Sequence, residues 1–159
     1  MYLYDLLSIM NRIILCLLFV TVLMGCKKKE TQDQSKKDEK IITDYIAANK
    51  LDARATGSGL YYVISTEGTG KQPASNSNVI VRYKGYLTDG TVFDQSNASG
   101  YVTSLTQVIK GWQEGIPYFK KGGSGKLLIP SALGYGSQAV SRIPANSVLI
   151  FDIDLLEVN

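Results

Sequence analysis

The sequence predicts an α+β domain in which an antiparallel sheet curves around one short helix, and three observations lead there. Two-residue alternation dominates residues 59–159, as in "NSVLIFDIDLLEV", where Leu149, Phe151, Ile153 and Leu155 fall on one face. One segment of that span changes period: Val108, Trp112 and Ile116 stand four apart in "TQVIKGWQEGIPYFKKGGSG", as on a helix. The strand–helix–strand alternation that builds a parallel sheet is absent.

Composition narrows the chemistry before any motif is read. The 159 residues suit one domain with attached segments, and 45% hydrophobic with 19% charged residues is enough to bury a core. The net charge is +3, but the lysines gather near the N-terminus, so the balance implies no nucleic-acid face. Histidine is absent. That removes the commonest general base and metal ligand, and with it serine–histidine, cysteine–histidine and zinc chemistry.

Residues 1–25 read as an export signal. Arg12 precedes "IILCLLFVTVLM", an apolar run too short to span a bilayer, and the run ends at Gly25 and Cys26. Asp5 is out of place ahead of a signal's basic region, which leaves Met1 and Met10 both open as the start. "VLMGC" resembles the lipobox of bacterial lipoproteins, and the resemblance implies cleavage before Cys26 and lipidation of its thiol. Cys16 would leave with the signal, so the mature domain would hold neither a free thiol nor a disulfide. The competing reading, a short buried helix, fits poorly with the "KKKETQDQSKKDEK" that follows at once. One lipid-bearing cysteine would hold the protein at a membrane surface.

Residues 26–40 contain almost nothing apolar and carry mixed charge, which predicts a solvated tether with a reach of roughly 20 Å. The three lysines after Cys26 either touch anionic headgroups or serve as a soluble spacer. Residues 41–58 then predict a short helix and connector. In "DEKIITDYIAANK", Ile42, Tyr45 and Ile46 share a face, with Asp38 and Glu39 in the first turn. This helix leads into the domain or acts as a dimerising arm. Gly57 and Gly59 mark the boundary.

From residue 59 the strands begin. "GLYYVISTEGTG" alternates Leu60, Tyr62 and Ile64 against Tyr61, Val63 and Ser65, then breaks at Gly68 and Gly70. In "VIVRYKGYLTDGTVFDQS", Val79, Val81, Tyr83 and Leu87 share a face. A two-residue turn at Asp89-Gly90 would pair Thr88 with Thr91, Leu87 with Val92 and Gly85 with Asp94. Tyr83 and Asp94 then lie close together on the apolar side, where the phenol offers the carboxylate a hydrogen bond and Gly85 leaves room for a side chain or ligand. Strict alternation puts Phe93 on the other face, unless a bulge returns it. "GKLLIP" is a strand, and "SALGYGSQAVSRIPANS" is a loop too long and too rich in glycine and proline to be a tight turn, which suggests function.

Two other motifs carry little. "GGSGK" lies after a helix and before a strand, the reverse of a phosphate-binding loop. "NAS" at Asn97 matches a glycosylation sequon, which means little beside a bacterial lipoprotein signal.

"VRYKGYLTDGTVFDQS", "QVIKGWQEGIPYFKKGGSGKLLIP", "LGYG" and "IPANSVLIFDIDLLEV" together resemble the FKBP-type peptidyl-prolyl cis/trans isomerases, in order and spacing, from about Gly59 to Val158. The resemblance implies a half-barrel sheet wrapped around one short helix, with an apolar pocket for a proline ring. It puts Trp112 at the pocket floor, Tyr83, Phe93, Val108, Ile109 and Phe151 in its walls, and Tyr101 at a further aromatic wall position. It assigns the Ile109 N–H and the Tyr135 hydroxyl to substrate carbonyl groups, Ile143 to a covering loop, and Asp94 to the pocket edge. For the large apolar residues, plain core packing is the competing role; Trp112 and Phe151 suit both.

Rotating an X-Pro bond meets a barrier of about 20 kcal/mol from lost amide resonance, and no covalent bond breaks. Such a catalyst needs no nucleophile, metal or cofactor. Two departures stand out: "QSNASG" after Asp94 lacks the basic residue some members place there, and the loop from Ser137 to Arg142 has no aromatic residue. No inserted chaperone flap is visible. The expected function is a prolyl isomerase, active as a monomer on proline-containing exported polypeptides and open to macrolide inhibitors. Its expected place is the bacterial envelope, anchored through Cys26, on the outer membrane facing the periplasm because Lys27 is not the aspartate associated with inner-membrane retention. The alternatives are a proline-peptide binding or chaperone module with little turnover, and a purely structural lipoprotein.

Overall fold

The computed structural model describes residues 32–159; the signal segment, Cys26 and the lysines after it lie outside that range. Seven strands form one sheet: β1 Arg54–Ala55, β2 Tyr61–Thr66, β3 Asn78–Tyr86, β4 Val92–Gln95, β5 Tyr101–Ser104, β6 Ser124–Ile129 and β7 Leu149–Val158. Their order is β1-β2-β6-β7-β3-β4, with β5 also paired to β3, and every pairing is antiparallel. Among the described residues, two α-helices accompany the sheet. The first, α1, covers residues 32–49; the second, α2, is Lys110–Gly115 and passes into a 3-10 turn at Ile116–Tyr118, where Pro117 ends the α-helical hydrogen bonding.

The period-two patterns become two apolar faces. On β6, Leu127 and Ile129 join the main core with Trp112 and Ile116 of the α2 region, while Leu128 between them joins Ile42 and Val148 in a second cluster. β2 divides in the same way, with Tyr62, Ile64 and the preceding Leu60 toward the main core and Tyr61 and Val63 toward the α1 cluster. Removing each such aliphatic side chain from water contributes about 1.5–3 kcal/mol. Glycine allows the closest approach between strands: a Cβ at Gly125 would meet the Val63 carbonyl oxygen, next to the irregularity in β2–β6 pairing between Ile64 and Thr66.

Two local expectations are corrected. The expected solvated tether reached Lys40, but the chain is already helical at residue 32. Its Gln, Lys and Glu residues are good helix formers, and tertiary contacts capture the helix once formed. The Asp38 carboxylate accepts from the Ser131 N–H at 2.9 Å and the Ser131 hydroxyl at 2.6 Å, and Glu39 accepts from the Tyr61 hydroxyl at 2.6 Å. Ile42, Tyr45 and Ile46, on one face as their spacing implies, pack in the second cluster.

The second correction is the β3–β4 turn. Gly90 N–H donates to Leu87 O and Leu87 N–H to Thr91 O, so the loop has three residues, Thr88 to Gly90, rather than two. Gly90 takes φ +88°, the left-handed conformation that closes such a loop. The shift of one residue at the turn is undone by a bulge: Tyr86 faces Val92 but Gly85 faces Asp94, leaving Phe93 as the extra residue.

Candidate functional site

That bulge decides where the site's aromatic wall stands. An extra residue in β4 breaks the alternation, so Phe93 and Asp94 both reach a cavity of about 430 Å³ on the α2 side of the sheet. Tyr83 comes from β3, Tyr101 from β5, Phe151 from β7, and Val108, Ile109 and Trp112 from the corner where the chain enters α2. Tyr135 arrives on the loop after β6. Gln113 Nε2 donates to the Val108 carbonyl at 2.8 Å and fixes that corner.

The floor and walls are rings set edge to face. Trp112 meets Tyr83 at 5.0 Å and Phe151 at 5.3 Å between centroids, with interplanar angles of 84° and 80°. Phe93 meets Phe151 at 5.5 Å and 81°, and Tyr83 meets Tyr101 at 6.2 Å and 74°. Ring quadrupoles favour this geometry, which holds a concave apolar surface open without a ring stacking across it. Gly85 is required beneath it, because a Cβ there would lie 2.6 Å from the Phe93 ring and 2.7 Å from the Phe151 ring. The space Gly85 frees is therefore filled by two of the protein's own rings. The indole N–H of Trp112 is buried at the floor and has no hydrogen-bond partner among the described residues.

At the mouth, the Tyr83 hydroxyl donates to Asp94 Oδ2 at 2.6 Å, and the Gln95 N–H donates to Oδ1 at 2.9 Å. Both carboxylate oxygens are engaged from within the chain, without the basic neighbour whose absence the sequence makes plain. Burial pushes the Tyr83 phenol well above its ordinary value of 10.0, helped by the hydrogen bond to Asp94 and by the charge on it. Tyr135 is pushed up as well, by burial first and then by Asp94. Both hydroxyls remain neutral donors at neutral pH.

The sign of the pH effect follows. A Tyr83 pKa raised on folding stabilises the protein fully below the unfolded value of about 10, and this contribution is lost as pH rises through the folded value. In an NMR titration the Tyr83 phenol carbon should keep its neutral position at about pH 11, where an unperturbed tyrosine is mostly ionised. Asp94→Asn should move its midpoint down. An unmoved midpoint would detach the phenol from the carboxylate.

Nine of the ten pocket positions expected from the sequence line this cavity: Tyr83, Phe93, Asp94, Tyr101, Val108, Ile109, Trp112, Tyr135 and Phe151. Ile143 does not. It lies on the loop between β6 and β7, where its backbone pairs with Val140 in a small bridge, and its side chain, 6% exposed, packs in the main core that also holds Trp112 and Phe151. Gln107 lines the cavity without having been foreseen, since a polar residue at the end of a 3-10 turn gives no sequence signal.

Comparison with known proteins agrees with this geometry. Residues 69–156 match the family described as FKBP-type peptidyl-prolyl cis-trans isomerase. The FKBP-type peptidyl-prolyl cis-trans isomerase FkpA of Buchnera aphidicola is 51% identical over 106 residues, 65% of this chain and 42% of that one. FkpA of Aeromonas hydrophila is 42% identical over 134 residues, 82% of this chain and 48% of the relative. The chain thus spans about half the length of the curated relatives it matches. Among solved structures, a peptidyl-prolyl cis-trans isomerase from Pseudomonas syringae superimposes with TM-score 0.72 at 32% identity, covering 81% of this chain and 96% of the other. FkpA from Escherichia coli superimposes with TM-score 0.67 at 36% identity, covering 88% and 70%.

Proposed function

Because this chain belongs to the FKBP-type peptidyl-prolyl cis-trans isomerase family, we propose that it rotates X-Pro bonds in proline-containing exported polypeptides at a bacterial envelope. The observation that carries the proposal is the ring-lined cavity with the Tyr83–Asp94 pair at its mouth.

The reaction uses differential binding alone. A planar X-Pro amide carries a large dipole that is smaller in the twisted state, so an apolar site lined by Trp112, Phe93, Val108 and Phe151 favours the twisted state. The Ile109 N–H and the Tyr135 hydroxyl hold flanking carbonyl groups and keep the peptide in a turn. Asp94 orients Tyr83 and places negative charge beside the rotating carbonyl carbon. No group in this scheme exchanges a proton or forms a bond with substrate, so neither cofactor nor metal takes part.

The envelope location rests on the "VLMGC" segment and a lipid on Cys26, with the outer membrane favoured by Lys27. One chain carries the whole pocket, so the proposed reaction needs no second copy. The test is isomerisation of short X-Pro peptides by the full chain, with a macrolide inhibitor as pocket probe. Catalysis that the macrolide blocks is the expected result. Macrolide binding without catalysis would replace the enzyme by a proline-peptide binding module, and neither would overturn both readings. In cells, Cys26→Ser should move the protein out of the membrane fraction; unchanged retention would overturn the lipid anchor.

A further inference from the structure

We propose that Asp38 of α1 is a positioning residue for the pocket, acting through Ser131 on the loop that carries Tyr135. The effect on turnover rests on the isomerase reading above; the physical link does not.

Among the described residues, the buried polar or charged side chains are Asp38, 1% exposed, and Ser131, 2% exposed, and they are bonded to each other. They lie 93 positions apart in sequence, and Asp38 Oδ2 accepts from both the Ser131 N–H, at 2.9 Å, and the Ser131 hydroxyl, at 2.6 Å. A carboxylate out of water is costly unless donors surround it, so this pair is a fixed point of the structure. α1 provides a firm base, because Ile42, one turn further along, is fully buried in the second cluster and Glu39 holds the Tyr61 hydroxyl.

On its other side, Ser131 governs Tyr135. The Ser131 carbonyl accepts from the Gly134 N–H at 3.0 Å and the Gly136 N–H at 2.8 Å, the two residues that flank Tyr135. Gly134 takes φ −104° and ψ −115°, and Gly136 takes φ +60°. Glycine is free to take these conformations among many others, and the two bonds to Ser131 select them, which fixes the backbone on both sides of Tyr135. The peptide unit N-terminal to Ser131 is thus gripped by α1, and the one after it holds the Tyr135 loop. A helix on the face away from the cavity reaches the cavity in two steps.

Asp38→Ala strands the Ser131 N–H in a buried site. Asp38→Asn keeps an oxygen that can face both Ser131 donors. In the full chain, hydrogen exchange at Gly134 and Gly136 should rise about fivefold with Asp38→Ala and less with Asp38→Asn, while exchange in β6 and β7 stays as it was. Turnover of X-Pro peptides should fall about two- to fivefold in Asp38→Ala, recover in part in Asp38→Asn, and show no further fall when Asp38→Ala is added to Tyr135→Phe. Unchanged exchange at Gly134 and Gly136 would overturn the link. Equal losses of turnover with and without the Tyr135 hydroxyl would overturn its route through Tyr135. If the parent protein has no turnover, the isomerase reading fails, and the exchange data still decide the Asp38 link. Should Asp38→Ala not fold, Asp38→Asn decides by the same exchange measurement.

Discussion

Replacing Phe151 by alanine is expected to cost about 3–5 kcal/mol of folding stability and to abolish binding of a proline ring. The ring is 4% exposed and touches Tyr83, Phe93 and Trp112, with centroid distances of 6.1, 5.5 and 5.3 Å. Its removal empties the centre of the aromatic wall, and because Gly85 below it has no side chain, nothing from the backbone side can fill the void. Phe93 and Trp112 would then collapse inward and close the cavity. A lower urea midpoint with an unchanged slope would report the stability loss, and macrolide or peptide titration the binding loss. Phe151→Leu retains most of the volume and should cost less than about 1.5 kcal/mol. Equal losses in the two variants would mean that the ring itself, and not the volume it fills, holds the pocket open.

Asp94→Leu is expected to lower kcat/KM for X-Pro peptides about tenfold or more while leaving the fold intact. Asp94 is exposed at the cavity mouth, so no large stability change is due. The leucine leaves the half-buried Tyr83 hydroxyl without its acceptor and removes the charge beside the bound peptide. A hydrogen bond to a charged group is worth about 1.5 kcal/mol at the low end, suited to an exposed carboxylate, and that is about tenfold in rate. Tyr83→Phe should cost less, since Asp94 keeps the Gln95 N–H and meets solvent. The double variant should lose little beyond Asp94→Leu alone. Unchanged kcat/KM in Asp94→Leu would remove the carboxylate from the mechanism.

Much of the site was legible from the chain because strand registers are local. The pairing of Gly85 with Asp94 and the meeting of Tyr83 with Asp94 followed from alternation about the Asp89-Gly90 turn. The loop length was misjudged by one residue, and the pairing still came out right because the bulge at Phe93 cancels that error. Composition gives no sign of such a bulge, which seats Phe93 edge to face against the Phe151 ring from another strand. Ile143 lies on the loop between β6 and β7. Its apolar character suits a covering position as well as a core, and its packing in the cluster with Trp112 and Phe151 is a tertiary contact that the local sequence does not record.

What the sequence determined by itself was periodic and local: an antiparallel sheet, one helix of period four carrying Trp112, turn glycines, and a pocket chemistry without histidine. Tertiary structure alone decided the long-range polar contacts. Residues 32–40 look like solvated tether because charge normally seeks water, yet Asp38 is buried and accepts hydrogen bonds from a serine 93 positions away. Hydrophobic patterning encodes which face turns inward, because burial follows side-chain type. The partner of a single buried carboxylate depends on where two distant backbones meet, and no periodicity along the chain records that.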